Sequence, residues 1–132
     1  MKYILMMNCP RNGYELMATW PKKGVADHMA FMHALNKDLR EAGELAAAEG
    51  LADPRQAVIV RVGKDGTPVT DGVFPESKEF LAGYWIVDVE SEKRAHEIAA
   101  RASSAPGPDG KPFVIPIEVR QVMSGPPDEF VA

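Results

Sequence analysis

Two segments of this 132-residue chain are apolar on both sides of a strand alternation. In residues 3–8, Tyr3, Leu5 and Met7 alternate with Ile4 and Met6; in residues 83–89, Trp85, Val87 and Val89 alternate with Tyr84 and Ile86. A strand with one face in solvent reads apolar then polar, so these strands need cover on both faces. The chain offers two helical stripes to provide it. Met32, Leu35, Leu39 and Ala42 recur at intervals of three and four within residues 26–42, with Lys37, Asp38, Arg40 and Glu41 on the other side. Asp27 is the expected N-cap and Gly43 the expected end. The second stripe is Ala95, Ile98, Ala99 and Ala102, behind Ser91 as N-cap.

Residues 9–25, with Pro10, Gly13, Pro21 and Gly24, read as a long loop carrying Asn12, Tyr14 and Trp20. Short strands are expected at 45–49 and 57–62, the latter turning at Lys64, Asp65 and Gly66 to pair with 67–70. Residues 71–80 read as a loop or a helical turn, 104–112 as a Pro/Gly loop and 114–123 as the last strand. The order is that of a ferredoxin-like α+β fold, an antiparallel sheet with two helices on one face and a hairpin inserted between its halves. Two helices cover one face only. The economical cover for the other is a second copy of the sheet, so the expectation is a homodimer with sheets face to face. One domain is expected over 1–125 and a loose tail over 126–132.

Composition removes several function classes. Nineteen acidic against fifteen basic residues give a net charge of −4, which argues against nucleic acid as a partner. The single cysteine, Cys9, cannot form an internal disulfide, as suits a reducing compartment. No apolar run approaches the ~20 residues of a membrane span, and the N-terminus lacks a signal-peptide core. A cytoplasmic protein without a membrane partner is expected. Three scattered histidines and one cysteine give no metal-ligand spacing, and no cofactor-binding motif is present.

Several segments together carry a resemblance: KYILMMN at the start, DHMAFMHALNKDLREAGEL in the first helix, AEGLADPRQAVIVR, TDGVFPESKEFLAGYWIVDV, and PIEVRQVM at the end. The sequence resembles the YCII-related, or DGPF-type, family of small α+β proteins. The naming motif has proline where this chain has Val73; Asp71, Gly72 and Phe74 match. The resemblance implies a dimeric α+β barrel, a fold shared with muconolactone-isomerase-like enzymes and small monooxygenases. It also implies a His-Asp pair as active site, and the family includes a dehydrochlorinase of a hydroxylated aromatic. The matching residues here are His28 and Asp71.

His28 is also singled out by spacing. It lies four before Met32, seven before Leu35 and eleven before Leu39, so it continues the apolar stripe into the first turn of the expected helix. A helix N-terminus there would disfavour imidazolium and keep a neutral ring able to accept a proton. The competing reading is a core histidine bonded to backbone. Asp71 before Gly72 reads by itself as turn chemistry; paired with His28 it would orient the ring or stabilise its charged form. Glu49, Trp20 and Phe74 are candidates to line a pocket, while Trp85 reads as core. His33, His96, Lys78 and Glu79 read as surface, and Cys9 as a buried small hydrophobe. The leading expectation is a cofactor-independent isomerase or lyase that moves a proton on a small organic, aromatic or otherwise cyclic molecule. The alternative is a non-catalytic dimeric small-ligand-binding or accessory module. A monooxygenase rests on fold analogy alone.

Overall fold

The computed structural model describes residues 1–72 and 78–123. The readings of Val73, Phe74 and the 126–132 tail lie outside the described residues. Among the described residues, six strands and three helices follow in the order β1 (Lys2–Pro10), α1 (Gly13–Ala18), α2 (Lys22–Glu41), β2 (Leu45–Gly50), β3 (Val58–Val62), β4 (Pro68–Gly72), β5 (Glu79–Asp88), α3 (Glu92–Ser103) and β6 (Ile117–Gln121). A 3-10 turn at Pro54–Gln56 leads into β3. The architecture is α+β with antiparallel sheets. The main sheet has the order β2-β5-β1-β6, the interleaving that two β-α-β halves produce, and β3 and β4 form a separate two-stranded sheet.

Register divides the main sheet into two unlike faces. Tyr3 pairs with Val87 and Leu5 with Trp85, and all four are buried. Leu35 and Leu39 of α2 and Ala95, Ile98, Ala99 and Ala102 of α3 complete the core on that face. The Trp85 indole N–H is not stranded there; it donates to Asn36 Oδ1 at 2.7 Å. On the other face Ile4 pairs with Ile86 and Met6 with Tyr84, and each remains half-buried. Glu49 lies opposite Tyr84, and Glu118 and Arg120 lie opposite Met6 and Ile4, so charges flank an apolar centre.

The helices end as their residues dictate and begin less predictably. Ser91 Oγ accepts from the Arg94 N–H at 3.1 Å, so it caps α3 as expected. Gly43, at φ +73, terminates α2. The start of α2 differs from the sequence reading. It begins at Lys22, because the Pro21 carbonyl accepts the first helical bond from the Val25 N–H at 3.1 Å. Asp27 therefore lies inside the helix, paired with Lys23 at 2.9 Å, and caps nothing. The expected loop over 9–25 also contains α1, a third helix. The last strand is shorter than expected, since residues 113–116 leave the ladder around Pro112, Val114 and Pro116.

Glu44 and Arg94 join the start of β2 to α3 by two hydrogen bonds, of 2.9 and 2.8 Å. The bond from the Arg94 guanidinium is the main reason the Glu44 carboxyl titrates below its ordinary 4.5, burial opposing it. Its folded pKa is depressed, so the stabilisation is present at neutral pH and is lost as pH falls from the ordinary value through the lowered one. Urea denaturation should show Glu44→Gln less stable than wild type by about 1 kcal/mol at pH 7, with the half-exposed Arg94 limiting the effect. The gap should close in acid.

Candidate functional site

Helix α2 lies on the covered face of the sheet, and its N-terminal half brings His28 to the end where β1 runs into α1. The early start of α2 changes the electrostatic reading of this residue. His28 is the seventh helical residue rather than one of the first turn, and the helix-dipole effect has decayed by then. What sets its protonation pattern is a hydrogen bond. His28 Nδ1 lies 2.9 Å from the Pro106 carbonyl oxygen. A carbonyl only accepts, so in the neutral ring Nδ1 carries the proton and Nε2 carries the lone pair.

Gly24 makes that bond reachable. It precedes His28 by one helical turn and lies on the same face. A Cβ at this position would stand 3.2 Å from both Cα and O of Pro108. With only hydrogen there, the 106–108 backbone lies against the helix and delivers its carbonyl to the ring. The sequence reading took Gly24 as a loop breaker; close approach is its use instead.

The His28 side chain is buried, with 5% of its surface exposed. Trp20 packs on it edge-to-face, ring centroids 5.6 Å apart, and Phe113 packs on Trp20 at 5.3 Å. One ring nitrogen is thus anchored, and the other makes no hydrogen bond within the described chain.

The remaining candidates fall elsewhere. Asp71 sits on β4, opposite Ile59, and its carboxylate accepts from Arg61 Nε and Nη2 at 3.2 and 3.1 Å. No hydrogen bond or ion pair joins it to His28 within the chain. Glu49 lies on the open face of the sheet, across from the helices. Trp20 is the candidate lining residue that reaches His28; Phe74 lies outside the described residues. His96 pairs with Glu92 on the surface. Pro106 and Phe113 were not singled out, since a main-chain acceptor and a lone aromatic in a proline loop leave no periodic signal.

Cys9 is not an activated nucleophile. Burial pushes its thiol up, and the Asp53 and Glu79 charges add to this. Nearby is a cleft of about 420 Å³ with walls including Leu51, Pro54, Phe80 and Leu81. Its acid, Asp53, is held by Arg55, and neither Trp20 nor Pro106 lines it. Among the described residues no three His, Cys, Asp or Glu side chains gather as a metal site, and no helix is long and apolar enough to cross a membrane.

Comparison with known proteins places this arrangement. The model of the YCII-related domain matches residues 1–107. The chain belongs to the YCII family. An uncharacterized protein of Rhizobium meliloti (strain 1021), R00369, is 29% identical over 106 residues, which cover 80% of this chain and 86% of that protein. Trp20, Gly24, His28, Asp71 and Pro106 lie within the YCII match, whereas Phe113 lies beyond it.

Gly24→Ala tests how the loop is seated. Alanine would favour the helix by about 1 kcal/mol, yet its methyl meets proline backbone at 3.2 Å. We expect the variant to be less stable than wild type in thermal unfolding. We also expect the His28 Nδ1–H signal in ¹⁵N NMR to lose its hydrogen-bonded character. A variant of raised stability with that signal unchanged would show that the loop yields.

Proposed function

We propose that this YCII protein is a cofactor-independent acid/base enzyme, of isomerase or lyase type, in which His28 moves a proton on a small organic molecule. The observation that carries the reading is the asymmetry of the imidazole. The Pro106 carbonyl holds Nδ1 protonated and fixes the ring, leaving Nε2 as a positioned acceptor. A substrate proton taken by Nε2 gives an imidazolium whose Nδ1–H remains on the carbonyl. The same nitrogen can then return the proton to another atom, which is isomerisation, or to a departing group, which is elimination. Trp20 supplies an aromatic wall suited to a flat ring.

The working unit in this reading is a homodimer, closed as an α+β barrel by the sheet faces that carry Ile4, Met6, Tyr84 and Ile86. Its domain spans residues 1–125. Asp71 enters as partner of His28 only across that dimer, because Arg61 holds its carboxylate within the chain. The Arg61 pair and the burial of His28 also favour a second reading, a dimeric ligand-binding or accessory module in which these residues brace the fold.

Light scattering at micromolar concentration should give twice the 14.4 kDa chain mass, and Ile86→Glu should return it to one chain. A wild-type mass of one chain would remove the dimer.

Proton chemistry is tested by hydrogen exchange. In D₂O, the protein is mixed with a panel of cyclic ketones, enols and chlorinated hydroquinones and followed by proton NMR. At least one compound should exchange a carbon-bound proton or lose chloride, and His28→Gln should slow this by 10²-fold or more. A panel without His28-dependent exchange would favour the module.

A further inference from the structure

Val114 is the one non-glycine residue among those described with positive φ, at 57°. A β-branched side chain is penalised in that region. No buried contact rewards it here, since Val114 is 70% exposed. Val114 stands between Phe113, which is seated on the preceding loop, and the approach to β6. The Phe113 ring lies against Gly107, where a Cβ would come within 2.9 Å of Cδ2.

That loop is a closed strap. The Phe113 N–H donates to the Ala105 carbonyl at 2.8 Å, and the Gly107 N–H donates to the Lys111 carbonyl at 2.8 Å. Pro106 and Pro112 are bridged across it. From one side it gives the Pro106 carbonyl to His28, and from the other it presses Phe113 on Trp20, which covers the imidazole. Phe113 itself remains 48% exposed. A half-exposed aromatic therefore braces the ring that packs on the buried histidine, and a strained residue follows it directly in the chain.

We propose that residues 105–114 form a strained strap that gates His28. In the closed state Val114 is left-handed and Phe113 clamps Trp20 over the imidazole. When Val114 relaxes to the extended region, Phe113 withdraws and Trp20 swings clear, admitting a flat small molecule to Nε2. Phe113 is then a positioning residue of the site. The inference rests on the reading of His28 as the reactive group.

Diethyl pyrocarbonate tests the gate without a known substrate. The neutral Nε2 attacks one carbonyl of the reagent and forms an N–C bond. The acyl C–O bond breaks, ethyl carbonate departs and decays to ethanol and carbon dioxide, and a proton goes to solvent. In full-length protein carrying His33→Gln and His96→Gln, His28 is the one histidine left to react, and its rate is read at 240 nm. Phe113→Ala removes the clamp and should raise the rate about 10-fold. Val114→Asn should lower it about 5-fold or more, because asparagine adopts the left-handed region readily and so favours the closed strap. Both sites are surface-exposed, and thermal unfolding should show Val114→Asn at least as stable as the parent. Rates that shift in the same direction in both variants, or in neither, overturn the gate. Opposed rates without His28-dependent proton exchange would keep the gate and reject the acid/base reading. Exchange with unopposed rates would do the reverse.

Discussion

Burial of one face of the main sheet under α2 and α3 is the constraint that orders this molecule. Leu5 and Val87 have no exposed surface, and Leu35 and Leu39 of α2 share their core cluster with 0% and 1% exposed. Side chains in such contacts interdigitate at close packing, so the helix cannot slide or roll without opening voids. That fixes the axis of α2 over its whole length, back through His28 to Gly24. The position of the imidazole follows from leucines two and three turns away rather than from local preference.

From that fixed helix the site is assembled largely by main chain. The 104–116 segment crosses the N-terminal half of α2, and Gly24 lets it come close enough for the Pro106 carbonyl to reach Nδ1. A backbone acceptor selects a tautomer without introducing a second titrating group. A carboxylate in the same position would bring a negative charge to the ring, whereas the carbonyl brings none. This is the physical difference between His28 as it stands in one chain and the His-Asp pair that family resemblance implies.

Within one chain Asp71 is bonded to Arg61 rather than to His28. It occupies the matching place in the sequence, but the structure puts it on a hairpin set apart from the main sheet, with Val58, Val60 and Val62 exposed along one face and Arg61 bonded to its carboxylate. A two-stranded sheet is marginal by itself. Among the described residues, the hairpin and the half-covered face of Ile4, Met6, Tyr84 and Ile86 are apolar surfaces that the packing leaves unfinished.

Periodicity in the sequence was enough to place the core strands, the stripes of both long helices, the Ser91 cap and the Gly43 stop, because each of these depends on residues a few positions apart. It also marked His28 and the two apolar faces of the sheet. It misplaced the start of α2 and the extent of the last strand. Gly24 was read as part of the 9–25 loop when its use is close approach from within α2, and the positive φ of Val114 has no residue signature. The partners of His28 were decided by tertiary structure alone. Pro106 is 78 residues away and contributes a main-chain oxygen that every residue possesses, and Phe113 reaches Trp20 only through the folding of a strap whose side chains carry no period. A contact made by backbone, or across such a separation, is specified by how the whole chain packs, and no local pattern records it.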